Sequence, residues 1–424
     1  MSTKLQLVTA ALLLFTWTGQ CTNSASSTAA TAPIASLPAT YQYLLEAPFS
    51  SDITKDFVDS TTTGNGTVNN ALKSAQQAAA ISYDAEFDAI LGASPSIRTV
   101  ATLDGPNAYE MGAWMYDRNE LWFTSSVISG STNVYKMDLT SFNVTKLELP
   151  PPSNLPAFQP TNYNGGIYHN GSVYVTLSGT NNGSSGILRI DPATLENEVV
   201  LNSYFGLELP SVDDVSIVYA RSTRETHVFF TTLNIHGWTN ATGTRNISVP
   251  DAIWRFTLET QTLRPVLTRS DNQNPNGVAI DVANQIIYFT ETPYPGETGT
   301  GVGTNPASAG ISVIYQYDLA ASSGFVPTSK RTFGFARSGA ADGTKVDDYG
   351  RLWTGEYEGI VVRNTAGKVI GLFNKEYILG TQSPEIELAN FALAGDKLYI
   401  LAVDKIVEID LAQTVWTPKA YLEI

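Results

Sequence analysis

Six short segments of this chain repeat one pattern: a turn residue, alternating apolar or aromatic residues, then threonine or a small residue. They are NELWFTSS from Asn119, GSVYVTLSG from Gly171, THVFFTTL from Thr226, NQIIYFTET from Asn284, GRLWTGEY from Gly350 and DKLYILAV from Asp396. Their starts lie 52, 55, 58, 66 and 46 residues apart, near the period of a propeller blade with its loops. Between them run partner strands ending in an acidic turn: VYKMDL at Val134, ILRID at Ile187, IYQYDL at Ile314 and IVEIDL at Ile406. An alternating strand buries one face, so four-stranded sheets stacked around an axis bury all of them. Two β-sandwich domains would need a linker near the middle, and the sequence has none. The fold class expected is all-β: a six-bladed β-propeller over residues 96–424, with a short helical N-terminal extension. The 20 Tyr, 17 Phe and 7 Trp supply its core.

The start of the chain has the form of a signal peptide over 1–20. Lys4 is its charged end, Leu5 to Trp17 its apolar stretch, and small residues follow. That run is too short to span a bilayer, and no later segment reaches the roughly 20 apolar residues a transmembrane helix needs. No membrane anchor is expected. A Ser/Thr/Ala stretch over 21–33 reads as a flexible linker. Residues 34–95 form the extension, in which 69–92 combine good helix formers with apolar residues at helical spacing up to Gly92.

Sequons at Asn65, Asn143, Asn170, Asn182, Asn240 and Asn246 fit a secreted glycoprotein. The one cysteine, Cys21, sits near the expected cleavage point, so the mature chain has no internal disulfide and depends on packing. A formal charge of −15 argues against nucleic acid or an anionic membrane as partner. A small molecule acting on a monomer is the expectation, and the acidity is compatible with a bound cation.

Residues just before each repeated strand should converge at one end of the propeller channel. Four segments stand there: NAYEMGAW with Glu110, LPSVDDVSI with Asp213 and Asp214, NPNGVAID with Asn276, and GAADGTKVD with Asp342. Their oxygens are hard ligands suited to calcium, magnesium or a similar ion. Each motif alone is weak, because Asn-Gly and Asp-Gly are commonest in turns. Four in register with the blades carry more weight.

These motifs resemble the senescence-marker-protein/gluconolactonase family, most closely its fungal lactonohydrolase branch. The similarity covers about residues 80–424 and includes ISYDAEFDAILGASPSIRTVA, NGGIYHNGSVYV, PNGVAID, SGAADGTKVDDYGRLW and NFALAGDKLYILAVDKIVEID. The resemblance implies a divalent ion on the axis, calcium by preference, that polarises a lactone carbonyl. It implies Glu110, Asn276 and Asp342 as ligands, with Asp342 also the catalytic base. Asp213 stands where the family has an asparagine ligand.

Other positions depart from the family. Tyr109 replaces a histidine before the glutamate, Asp213 and Asp214 follow Val212 in place of Pro-Asn-Asp, and Thr231-Thr232-Leu233 replaces Thr-Asp-Pro. Groups that would handle protons are changed while the metal frame is kept. Two enzymatic readings follow. One is a non-hydrolytic catalyst of fungal secondary metabolism, similar to hetero-Diels–Alderases that couple a tropolone-type diene to a terpenoid alkene. It would need no metal, only a cleft that holds the partners in a near-attack arrangement. Tyr109 and His236 are its candidate catalytic residues, with Trp238, Asn164 and Thr232 as substrate contacts. The other is a secreted, divalent-metal-dependent lactone hydrolase. A binding propeller without catalysis is the third reading. His227, opening a strand, is expected to serve packing or surface.

Overall fold

The computed structural model describes residues 27–126, 132–179, 185–233, 249–272, 274–292, 312–380, 388–418 and 423–424. Every repeated segment is the second strand of a blade: Glu120–Thr124, Ser172–Leu177, Glu225–Leu233, Ile286–Glu291, Leu352–Glu356 and Lys397–Leu401. The strand before each is innermost: Glu110–Met115, Tyr163–His169, Ser211–Ala220, Pro275–Asp281, Ala341–Val346 and Phe391–Ala394. Each inner strand packs against the next, and the sixth returns to the first, which closes a ring of six sheets. This is the expected six-bladed propeller.

The sixth blade is closed by the earlier part of the chain. Ser96–Thr102 pairs antiparallel with Lys405–Asp410 and supplies the outer strand, with Arg98 bridging to Glu408 at 2.7 Å. Residues from distant parts of the sequence thus share one sheet, and the ring cannot open without breaking it. The interior is aromatic between blades: Trp122, Trp254 and Trp353 are almost fully buried. His227 is buried too, packed on Phe325 with its Nδ1 3.0 Å from the Thr257 hydroxyl.

Two N-terminal expectations differ from the structure. Within the stretch read as a flexible linker, Ala30–Thr31 pairs with Ile97 and Ser96 at the edge of blade six. The helix read over 69–92 is two helices, Gly66–Ala75 and Ala85–Leu91, separated by a strand, Ala80–Ser82. That strand pairs with Gly371–Phe373, and Ile34–Ser36 pairs with it in turn, so blade five has six strands. Burial decides the outcome: Ala79, Ala80 and Ile81 are nearly inaccessible, which a surface helix would not achieve. Both helices are capped by side chains, Asn65 accepting from Thr67 and Val68 and Asp84 from Glu86. Gly371 leaves the space that the Phe87 ring fills.

Candidate functional site

The inner strands are irregular at one place. In blades two to five, two consecutive residues oppose one on the second strand: Asn164-Gly165, Asp213-Asp214, Asn276-Gly277 and Asp342-Gly343. In blade one the irregularity follows Glu110 directly. These are β-bulges, which bend a strand and re-aim its side chains. The Asn-Gly and Asp-Gly pairs are therefore bulges within strands rather than turns.

The threonine of the repeat explains why the bulges recur. In blades two, three and four the bulge faces Thr176, Thr231 and Thr290. Thr124 donates to the Asn164 carbonyl at 2.9 Å, Thr176 to the Asp213 carbonyl, and Thr231 to the Asn276 carbonyl at 2.5 Å. Each hydroxyl thereby links one blade to the bulge of the next. Glycine at the second bulge position permits the close approach. A Cβ on Gly277 would overlap the Asp342 carbonyl, and one on Gly343 the Asn390 side chain.

The result is a polar ring at one end of the inner strands, containing Glu110, Asn164, Asp213, Asn276 and Asp342. Asn390, from blade six, completes it and was not singled out in the sequence. Its amide donates to Glu110 Oε2 at 3.0 Å, across the seam between last and first blades. Its signal was its place just before the sixth inner strand. Asn164 donates to Asp213 Oδ1 at 2.5 Å and to Ser178 at 3.1 Å. Burial raises the Asp213 carboxyl far above the usual range, and the neighbouring Asp214 adds to this.

Asn276 gives the ring its clearest chemical signature. Its amide nitrogen donates to Thr292 at 2.8 Å, while its side-chain carbonyl oxygen is buried without a hydrogen-bond partner among the described residues. An orphaned acceptor in a ring of carboxylates and carboxamides is the donor set a hard cation would satisfy. In chemical type these donors suit a divalent ion, but among the described residues the carboxylates of Glu110, Asp213 and Asp342 do not gather within 4.8 Å of one another.

Below the ring lies Lys345, a second residue that sequence reading missed. Its ammonium donates to the Met111 carbonyl at 3.4 Å, and Asp214 and Glu110 offset the burial that depresses its pKa. Because the bulge at Asp342-Gly343 resets the strand alternation, sequence spacing alone does not place this lysine in the channel. Beyond it is a cavity of about 120 Å³, walled by Trp114, Ile167, His169, Ile280 and Trp416. Trp114 and Trp416 meet edge to face at 5.6 Å there. The channel is acidic and amide-lined at one end and aromatic at the other.

The remaining candidates separate. Tyr109, immediately before Glu110, is half-buried against the core between blades five and six. Thr232 is committed within its own blade, its hydroxyl bonded to Ala252 and to the Trp254 indole. His236 and Trp238 lie outside the described residues, as do Asn182, Asn240, Asn246 and Cys21. The acidic cluster found among the described residues, Asp56, Asp59 and Glu376, contains no residue of this ring and joins the extension to the chain that follows blade five. The Lys375 ammonium lies 3.5 Å from Asp56 and 3.4 Å from Glu376, which supplies its counter-charge.

No family model matches the chain. It is 25% identical over 300 residues to the lactonohydrolase oryL of Aspergillus oryzae, covering 66% of this chain and 63% of that protein. It is 22% identical over 342 residues to oryH of the same organism, also a lactonohydrolase, covering 66% and 70%. The chain thus spans slightly less than two thirds of the first of these relatives. A gluconolactonase from Xanthomonas campestris has the same fold, with a TM-score of 0.57, 19% identity and coverage of 78% and 94%. The scaffold is that of the gluconolactonase propellers, with distant sequence similarity to fungal lactonohydrolases.

Proposed function

We propose that this protein is a small-molecule enzyme whose polar ring opens a lactone with water, assisted by a divalent cation, calcium in the first instance. The observation that carries the reading is the buried, unpartnered Asn276 oxygen among Glu110, Asp213 and Asp342. Those four residues would hold the ion, which when bound would polarise the lactone carbonyl. Asp342 is the general base, accepting the proton of the attacking water at its carboxylate. Asn390 and Asn164 fix the orientation of Glu110 and Asp213 through their amides. The similarity to two lactonohydrolases supports the same chemistry.

Two observations favour the cycloaddition reading instead. Neither described histidine, His169 nor His227, belongs to the ring, and burial favours the protonated form of Asp213. A neutral acid can donate a hydrogen bond to the carbonyl of a heterodiene without transferring its proton, and cycloaddition needs little else but orientation.

One experiment separates the two. The purified chain, with and without EDTA, is given aldono- and aromatic lactones, and separately a tropolone-type heterodiene with a terpenoid alkene. Chelator-sensitive ring opening, lost in Asp342→Ala, supports hydrolysis. Adduct formation that survives both EDTA and Asp342→Ala overturns it.

We further propose that the chain enters the secretory route. The Asn143 and Asn170 sequons are exposed on the propeller. Secretion from a eukaryotic host should give protein whose mass falls on N-glycanase treatment; an unglycosylated, retained product would contradict this.

A further inference from the structure

A second cavity, of about 590 Å³, lies between the N-terminal extension, the outer strands of blade five and the edge of blade four. It is unrelated to the channel and within the range of small-molecule sites, which favour the junctions of structural units. Leu45, Phe49 and Phe57 of the extension form one wall; Val361 and Leu372 of blade five, with Phe335 from the outermost strand of blade four, Thr328–Ala336, form the other. Phe49 and Phe335 stand at 62% and 58% exposure, unusual for rings of this size.

The charged groups in the lining neutralise one another. Arg337 pairs with Glu358 at 2.7 Å and also donates to the carbonyls of Lys55 and Asp52. Arg363 pairs with Glu356 and donates to the Phe335 carbonyl at 2.8 Å. Neither arginine is left to attract an anion, and neither glutamate a cation. Tyr83 also lines the cavity, and no described residue hydrogen-bonds its hydroxyl. Burial, and after it the Glu358 carboxylate, hold that phenol in its neutral, donating form.

We propose that this cleft is a second binding site, for a neutral and largely apolar small molecule with a single hydrogen-bond acceptor to meet Tyr83. Charged ligands would have to break an internal ion pair to gain a partner, whereas an apolar one covers Phe49 and Phe335 without that loss. The site is independent of the chemistry at the ring.

The test is a fluorescence titration of the full chain with N-phenyl-1-naphthylamine, a neutral apolar probe. Saturable binding at one site is expected, weakened at least tenfold in Phe49→Asp/Phe335→Asp, whose exposed positions leave the core intact. Tyr83→Phe should weaken binding of a probe bearing a carbonyl while leaving the naphthylamine unaffected. Asn276→Leu, in the ring, should leave probe binding unchanged. Absence of saturable binding, or equal affinity in the double variant, would overturn the proposal. So would sedimentation showing a dimer that the double variant converts to monomer, since the two rings would then serve a second copy of the chain.

Discussion

The Thr231 hydroxyl donates to the main-chain carbonyl of Asn276 at 2.5 Å and accepts from the Asp214 amide at 3.1 Å. One buried side chain thus ties the bulge of its own blade to the bulge of the next. Replacing it with valine leaves both backbone groups unmet, at about 1–3 kcal/mol for each buried group. Thr231→Val should lower the urea midpoint and also weaken calcium binding by calorimetry, because Asn276 loses its support. Thr232→Val also loses buried hydrogen bonds, yet they lie within one blade. It should lower stability while leaving calcium affinity unchanged.

Gly277 is one of the positions where two blades come into close approach. A methyl group there would meet the Asp342 carbonyl, a backbone atom with little freedom to move, as well as the Thr344 hydroxyl. Overpacking of this kind costs about 1–3 kcal/mol. Gly277→Ala should therefore destabilise the chain and displace Asp342, measured as a lower urea midpoint with reduced lactone turnover. Gly66 begins a helix with open space around its missing Cβ. Gly66→Ala is the control and should be neutral or slightly stabilising.

Asn276→Leu tests the cation directly. Without calcium the variant loses one hydrogen bond to Thr292 but also removes the orphaned acceptor. Its stability in EDTA should stay within about 1 kcal/mol of the parent chain. Calcium at a hundredfold excess over its dissociation constant should add about 2.7 kcal/mol to the parent. The variant should gain nothing. Equal stabilisation of both proteins would place the ion elsewhere.

The blade count was legible because the second strands are buried on both faces and flanked by turns, so their pattern survives in Glu120–Thr124 and Ile286–Glu291 alike. The ring was legible only in part. Glu110, Asn276 and Asp342 stand in recognisable motifs, but Lys345 follows a bulge, and a bulge reverses which residues face the axis. Asn390 lacks a neighbouring glycine in its own strand; the matching gap is supplied by Gly343 and Gly112 on adjoining blades. That complementarity is a property of the closed ring. The strand at Ala80–Ser82 was hidden for a similar reason: the alanine run 78–80 that leads into it favours helix, and the open edge of blade five outweighs that preference.

Two buried histidines contribute to the loss of stability in acid. Burial pushes both His169 and His227 down to about 4, and the Arg255 guanidinium adds to the effect at His227. A histidine depressed in the native state binds fewer protons than the unfolded chain once pH falls below its ordinary value near 6.5. Its contribution is complete above that pH and is lost as pH falls toward 4. The shift corresponds to roughly 3 kcal/mol for each residue. His227 Nδ1 already faces Thr257 at 3.0 Å, and among the described residues its Nε2 has no hydrogen-bond partner; the Glu225 carboxylate at 3.9 Å offsets only part of the cost of a second proton. Urea unfolding between pH 7.5 and 4.5 should therefore show His227→Gln losing less stability than the parent chain over this interval. Parallel curves for the two proteins would mean that His227 protonates in the folded state as readily as in the unfolded one.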